Sequence, residues 1–98
     1  MYMRIHETRE GRIIAACDKE LIGKVLEEKN ICLDLDKYRS FYVGKPVSAA
    51  ELKTGLGNFF SANLVGKNAV SVALRSGFAQ KTDVIYINAT PYIQIYKI

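Results

Sequence analysis

Pro46-Val-Ser-Ala-Ala-Glu-Leu-Lys-Thr-Gly-Leu-Gly-Asn-Phe-Phe60 is the stretch on which the fold turns. Within it, Ser48-Ala-Ala-Glu51 has the spacing of a capping box: the serine hydroxyl accepts from the amide three residues on, and the glutamate reaches back. Leu52, Leu56, Phe59 and Phe60 then recur at helical spacing and form an apolar stripe. The pattern predicts a helix over 49–60. Gly55 and Gly57 each weaken it by about 1 kcal/mol relative to alanine, so either another backbone passes close there or the helix bends. Beyond it, Ser61 to Gly66 reads as a joint into a second helix over 65–76, with Val65, Ala69, Val72 and Ala73 on one face. Gly77 stands where a left-handed residue ends a helix, and Phe78 can fold back on the last turn.

The flanking segments change period. Tyr2 to Thr8 alternates, with Met3 and Ile5 toward a core and Tyr2, Arg4 and His6 on the other face. Arg9-Glu10-Gly11 is a turn, and Arg12 to Cys17 returns as the second strand of a hairpin. Asp18 to Gly23 reads as one helical turn, capped by Asp18 and ended by Gly23. Asn30 to Asp36 alternates as a third strand. Asp83 to Asn88 and Pro91 to Ile98 read as closing strands joined at Ala89-Thr90. The expected fold is a single α+β domain over 1–98. Its sheet is mainly antiparallel, built from the N-terminal hairpin, the third strand and two C-terminal strands, with two consecutive helices packed on one side.

Composition supports a self-sufficient core. Of 98 residues, 49% are apolar and 24% charged, which suits a folded domain rather than a disordered chain. Cys17 and Cys32 both lie in apolar runs and read as buried thiols in a reducing compartment. No apolar run approaches a membrane span, so the expectation is a cytoplasmic protein with no membrane association. Catalysis finds little support. His6 is the only histidine, and a Cys17–His6 dyad across the hairpin would need an exposed, acidic thiol. The cysteines lack zinc spacing. Asp34 and Asp36 share a strand face that could hold a metal but more simply is solvated. The expectation is a non-enzymatic protein without metal or cofactor.

Charge divides along the chain. Residues 1–36 carry six Lys/Arg against eight Asp/Glu, whereas residues 37–98 carry eight against only Glu51 and Asp83. A basic surface concentrates polyanions. In the segment from Lys37 to Lys45, cations and rings interleave. Lys37, Tyr38, Arg39, Tyr42 and Lys45 are candidate nucleic-acid contacts, because unpaired bases stack on rings while cations hold the backbone. Alternatively, Phe41 and Val43 plug the core and the charges only solvate a loop. Asn63, Gly66 and Lys67, at the expected start of the second helix, are a candidate anion site, since helix starts offer free N–H groups. The competing reading has Asn63 capping that helix and Gly66 allowing close packing. A sheet face joining Tyr86 and Tyr92 or Tyr96 to Arg4 and His6 is a further platform for RNA.

Several pieces together carry a resemblance: Met3-Arg4 with its hairpin, Cys17-Asp18 followed by Leu21-Ile22-Gly23-Lys24, and Phe41-Tyr42-x-Gly44. Ala62-Asn63-Leu64-Val65-Gly66 followed by Ala69-Val70, and Pro91-x-x-Gln94-Ile95, complete it. The chain resembles, over almost its whole length, an archaeal family of small proteins known as domain of unknown function number four-twenty-four. That resemblance implies an RNA-binding or ribonucleoprotein-associated protein linked to translation. The family's closing strand usually carries a histidine after the proline, where this sequence has Tyr92. RNA binding is therefore the leading expectation. A protein–protein adaptor docking its basic aromatic loop on an acidic partner is the alternative. A small enzyme or binder of a phosphorylated ligand at Asn63–Lys67 is the third.

Overall fold

In the computed structural model, which describes residues 1–97, the N-terminal alternation becomes β1 (Tyr2–Glu7) and β2 (Arg12–Cys17). They pair antiparallel, with Met3 opposite Ala16 and Ile5 opposite Ile14. A 3-10 turn at Lys19–Leu21 follows, then β3 (Val25–Glu28), β4 (Ile31–Asp34) and a short helix α1 (Arg39–Tyr42). After β5 (Lys45–Pro46) come α2 (Ala49–Gly55), β6 (Ser61–Val65) and α3 (Lys67–Arg75). A 3-10 turn at Lys81–Asp83 leads to β7 (Ile85–Ile87) and β8 (Thr90–Tyr96). The main sheet has the order β5-β1-β2-β6-β8-β7, and only β2 and β6 run parallel. The expected α+β architecture, with a mostly antiparallel sheet, is the observed one. The expected end of the last strand at Ile98 lies outside the described residues.

The caps explain why the helices begin and stop where they do. Ser48 Oγ accepts from the Glu51 amide at 3.2 Å, and Glu51 Oε1 accepts from the Ser48 amide at 3.0 Å. This is the capping box read from the sequence. At the far end of α3, the Phe78 amide reaches the Ala73 carbonyl at 3.0 Å and the Gly77 amide the Leu74 carbonyl at 3.3 Å, with Gly77 at φ 77°. That is a Schellman closure. The last two strands are joined through Asn88 and Ala89, at φ 50° and 66°, one residue earlier than expected. Two successive positive φ values suit the twist of a tight hairpin.

Four expectations need correction. Ser61–Val65 is not a joint but a central strand, and the second helix begins at Lys67. Ser61, Ala62, Leu64 and Val65 are all buried, so the segment lacks the alternation that marks a half-exposed strand. The first helix ends at Gly55, well short of residue 60; a side chain at Gly55 would press on Met3 Sδ, 2.9 Å away. The third strand does not join the main sheet. β4 pairs with β3 as a separate two-stranded ribbon, anchored where Glu28 Oε1 accepts the Asn88 amide at 2.8 Å. Cys32 lies on that ribbon and is exposed, not buried.

The sheet is covered on both faces. α2 and α3 lie on one side, as expected, where Leu52, Leu56, Phe59, Ala69, Val70 and Ala73 meet Ile14, Leu64 and Ile93. The opposite face is roofed by the segment between β2 and β5. There Leu21, Leu26, Leu35 and Tyr42 pack on Ala15, Cys17, Val65 and Ile87. This roof reaches Ile87 on β7, with Tyr92 of β8 packed against it, and an open cleft remains between roof and sheet beside Tyr92.

Candidate functional site

The segment from Lys37 to Lys45 is held by β1 rather than left as a loop. α1 is a single turn, so its carbonyls need partners from elsewhere. Arg4 Nη1 donates to the Ser40 carbonyl at 2.6 Å, and His6 Nε2 donates to the Phe41 carbonyl at 2.9 Å. The His6 ring also stacks on Phe41, with centroids 4.6 Å apart. The two polar side chains on the outward face of β1 therefore fix the orientation of α1. Two Asp34 hydrogen bonds, from the Asp36 and Lys37 amides at 3.0 and 2.8 Å, shape the turn that precedes it. Asp34 is thus a turn-former.

This anchoring divides the candidate residues. Tyr38 is 52% exposed, while Tyr42 is 3% exposed and its ring belongs to the core under the roof. Burial, with the neighbouring Tyr92 and Cys17, pushes the Tyr42 hydroxyl pKa well up. Tyr42 therefore offers no free face for stacking, contrary to the sequence reading. Lys37 Nζ lies 5.5 Å from the Tyr38 ring centroid, and Arg39 pairs with Asp36 at 3.0 Å on an exposed surface. Such an exposed pair is worth at most about 1 kcal/mol, so the guanidinium is free to exchange partners. Lys45 lies apart from these groups. It lines a groove beside α2 with Met3, Arg12 and Glu51.

The anion-site expectation at Asn63, Gly66 and Lys67 is also corrected. Asn63 sits within β6 and caps nothing; its Oδ1 accepts from Gln94 Nε2 on β8 at 3.0 Å. The start of α3 is already filled. Asp18 is 2% exposed, and its Oδ2 and Oδ1 accept from the Asn68 and Ala69 amides at 3.0 and 2.9 Å. The carboxylate occupies the position that a phosphate would take. Gly66 serves this contact: it stands at φ 105°, and a Cβ there would lie 2.6 Å from Asp18 Oδ2. Asp18 therefore does not cap the turn that follows it; it caps a helix 50 positions away.

What the fold brings together is Tyr38 with Asn63. Tyr38, Leu33 and Phe41 from the roof, and Asn63, Tyr92 and Gln94 from the sheet, line an open cleft of about 300 Å³, with Tyr42 at its edge. Tyr92 is half-buried, and burial raises its hydroxyl pKa. The arrangement is an apolar, ring-lined cleft with two carboxamides at its base. That combination can hold a flat heteroaromatic ring and hydrogen-bond its edge. Gln94 went unrecognised as a site residue, and Tyr92 was expected only on a sheet platform with Arg4 and His6, whose side chains instead hold α1. The alternation Tyr92, Gln94, Tyr96 was legible as one strand face. Its juxtaposition with Asn63 was not, because residues 61–65 lack a strand's alternation. No described helix is long and apolar enough to cross a membrane.

The family model described as "Protein of unknown function (DUF424)" matches residues 5–98. The chain belongs to this family. The DUF424 match spans the motifs that carried the resemblance apart from Met3-Arg4, including Ala62–Gly66, of which Ala62–Val65 lies in β6. No curated protein matches the chain. Among solved structures, an uncharacterized conserved protein from Methanopyrus kandleri is similar, at 25% identity and TM-score 0.79. The similarity covers 97% of this chain and 89% of that one.

Proposed function

We propose that this DUF424 protein binds single-stranded RNA and does no catalysis. The observation that carries the reading is the cleft itself. Exposed Tyr38 lines it together with the hydrogen-bonded carboxamides of Asn63 and Gln94, Lys37 Nζ lies 5.5 Å from the Tyr38 ring centroid, and Arg39 follows Tyr38 in the chain. Single-stranded RNA is recognised by stacking splayed bases on aromatic rings and hydrogen-bonding their edges. Carboxamides carry both donors and acceptors and suit base edges, while cations suit phosphates. The resemblance stated above adds ribonucleoprotein association, translation and an archaeal cytoplasm as the setting. Neither a metal nor a cofactor is needed for such binding.

The test is titration of labelled single-stranded RNA at several salt concentrations. Tyr38→Ala should weaken binding by about 1–3 kcal/mol and leave the salt slope nearly unchanged. Lys37→Gln with Arg39→Gln should flatten the dependence of log affinity on log salt by about 1.4, or about 0.7 per contact. Absence of wild-type binding at low salt would remove the reading and leave a protein–protein adaptor as its replacement.

A further inference from the structure

The two carboxylates of the chain after Val47 are directed into backbone amides. Glu51 Oε1 accepts from Ser48 at 3.0 Å, which holds its carboxyl pKa below the ordinary range, and Asp83 Oδ2 accepts from Gln80 at 2.9 Å. Lys53, Lys67 and Arg75 are exposed, and among the described residues none of them forms an ion pair. All three border α3. Lys53 and Arg75 line, with Ser71 and Ser76, a groove of about 240 Å³ between α2 and α3. On the other side of α3, Lys67 lines a groove of about 310 Å³ with Ser71, Leu74 and Tyr86. No carboxylate lines either groove. Lys67, Ser71 and Arg75 are four residues apart and form one stripe, about 12 Å long at the rise of an α-helix. Tyr86 beside it is 60% exposed.

This stripe is on the other side of the sheet from the cleft. The inner face of α3, through Ala69, Val70 and Ala73, packs on the sheet residues that α2 also covers, whereas the cleft is closed by the roof on the reverse face. The chemistry differs too. The cleft carries carboxamides and rings; the α3 stripe carries cations and hydroxyls, with one ring and no amide in its two grooves. Cations without base-reading groups recognise backbone phosphate, and paired RNA presents mainly backbone and shape.

We propose that the α3 stripe is a second contact surface, for the phosphate backbone of a base-paired RNA segment. One molecule would then hold a single strand in the cleft and a paired stem on α3. The proposal rests on the RNA-binding reading but concerns a different surface.

The experiment uses two probes, an oligouridylate strand and an RNA hairpin with a fully paired stem. The variants are the triple Lys53→Gln, Lys67→Gln, Arg75→Gln, and separately Tyr38→Ala. All four positions are exposed, and far-UV circular dichroism should match wild type. The triple variant should lose hairpin affinity about tenfold or more at low salt, with a salt slope lowered by about 2.7, or about 0.9 per duplex contact, while keeping oligouridylate binding within about twofold. Tyr38→Ala should show the reverse preference. Protein saturated with oligouridylate should still take up the hairpin. Unchanged hairpin binding by the triple variant, equal loss of both probes, or full displacement of hairpin by oligouridylate would overturn the second surface while leaving RNA binding standing. Equal competition by poly-glutamate would overturn the choice of RNA for this surface. Failure of wild type to bind either probe would instead remove the RNA reading itself.

Discussion

Replacing Asp18 by alanine should be among the most damaging single changes outside the hydrophobic cores. The side chain is 2% exposed and accepts two amide hydrogen bonds, at 3.0 Å from Asn68 and 2.9 Å from Ala69. The Ala69 bond is fully buried, so its loss strands an amide at about 1–3 kcal/mol. The more open Asn68 bond adds about 1 kcal/mol, as for an ordinary helix cap. Relief from burying a charge offsets part of this, and a net loss of about 2 kcal/mol is expected. For a domain whose total stability is on the order of 5–15 kcal/mol, that is a large fraction. With a urea m-value of about 2 kcal/mol/M, the midpoint should fall by about 1 M. Asp18→Asn keeps the shape but only one acceptor oxygen, and should lose about half as much. Gly66→Ala should act on the same contact, driving a Cβ at φ 105° into the carboxylate. The assay is urea unfolding followed by circular dichroism and tyrosine fluorescence. A midpoint for Asp18→Ala within about 0.3 M of wild type would refute the reasoning. It would mean that the start of α3 is satisfied by water and open to an anion after all.

Further outcomes follow from the same structure. Ser48→Ala should destabilise by about 1 kcal/mol, through loss of the capping box, measured by the same unfolding series. Burial, with Asp18 and Glu20 nearby, pushes the Cys17 thiol pKa up to about 12, well above its ordinary value. The folded state therefore holds its proton where the unfolded state has lost it, and stability should fall as pH rises from about 9 to about 12. Cys17→Ala should lose that part of the decline, as pH-dependent unfolding would show; the raised Tyr42 pKa contributes a decline in the same direction. With a disulfide-exchange reagent, native protein should expose one thiol, Cys32, and the second should react only on unfolding.

Local signals carried much of the architecture. The N-terminal alternation, the Ser48–Glu51 box and the Gly77 closure each depend on neighbours a few residues apart, and each appeared where the sequence placed it. The misreadings share a physical cause. β6 is buried on both faces, so Ser61–Val65 has no period to detect, and Asn63 with Gly66 just beyond the strand imitates a joint. Once β6 enters the sheet, Asn63 meets Gln94, 31 residues away, and Asp18 reaches amides 50 and 51 residues away. Separations of that size leave no local trace. Of the site, Tyr38, Lys37 and Arg39 were legible from the interleaving of rings and cations. Tyr42 was not separable from them by sequence, because its burial comes from packing with Cys17 and Val65, more than twenty residues away.

The most direct test of the cleft as an RNA site is a nitrogen–proton correlation spectrum of labelled protein during titration with a short single-stranded RNA at low salt. The side-chain amide resonances of Asn63 and Gln94 report the base of the cleft without any mutation. With RNA in the cleft, both should shift progressively, together with the backbone amides of Tyr38 and Arg39, while the amides of Asn68 and Ala69 under Asp18 remain still. Shifts confined to other surfaces, with the Asn63 and Gln94 side chains unmoved at saturation, would contradict it.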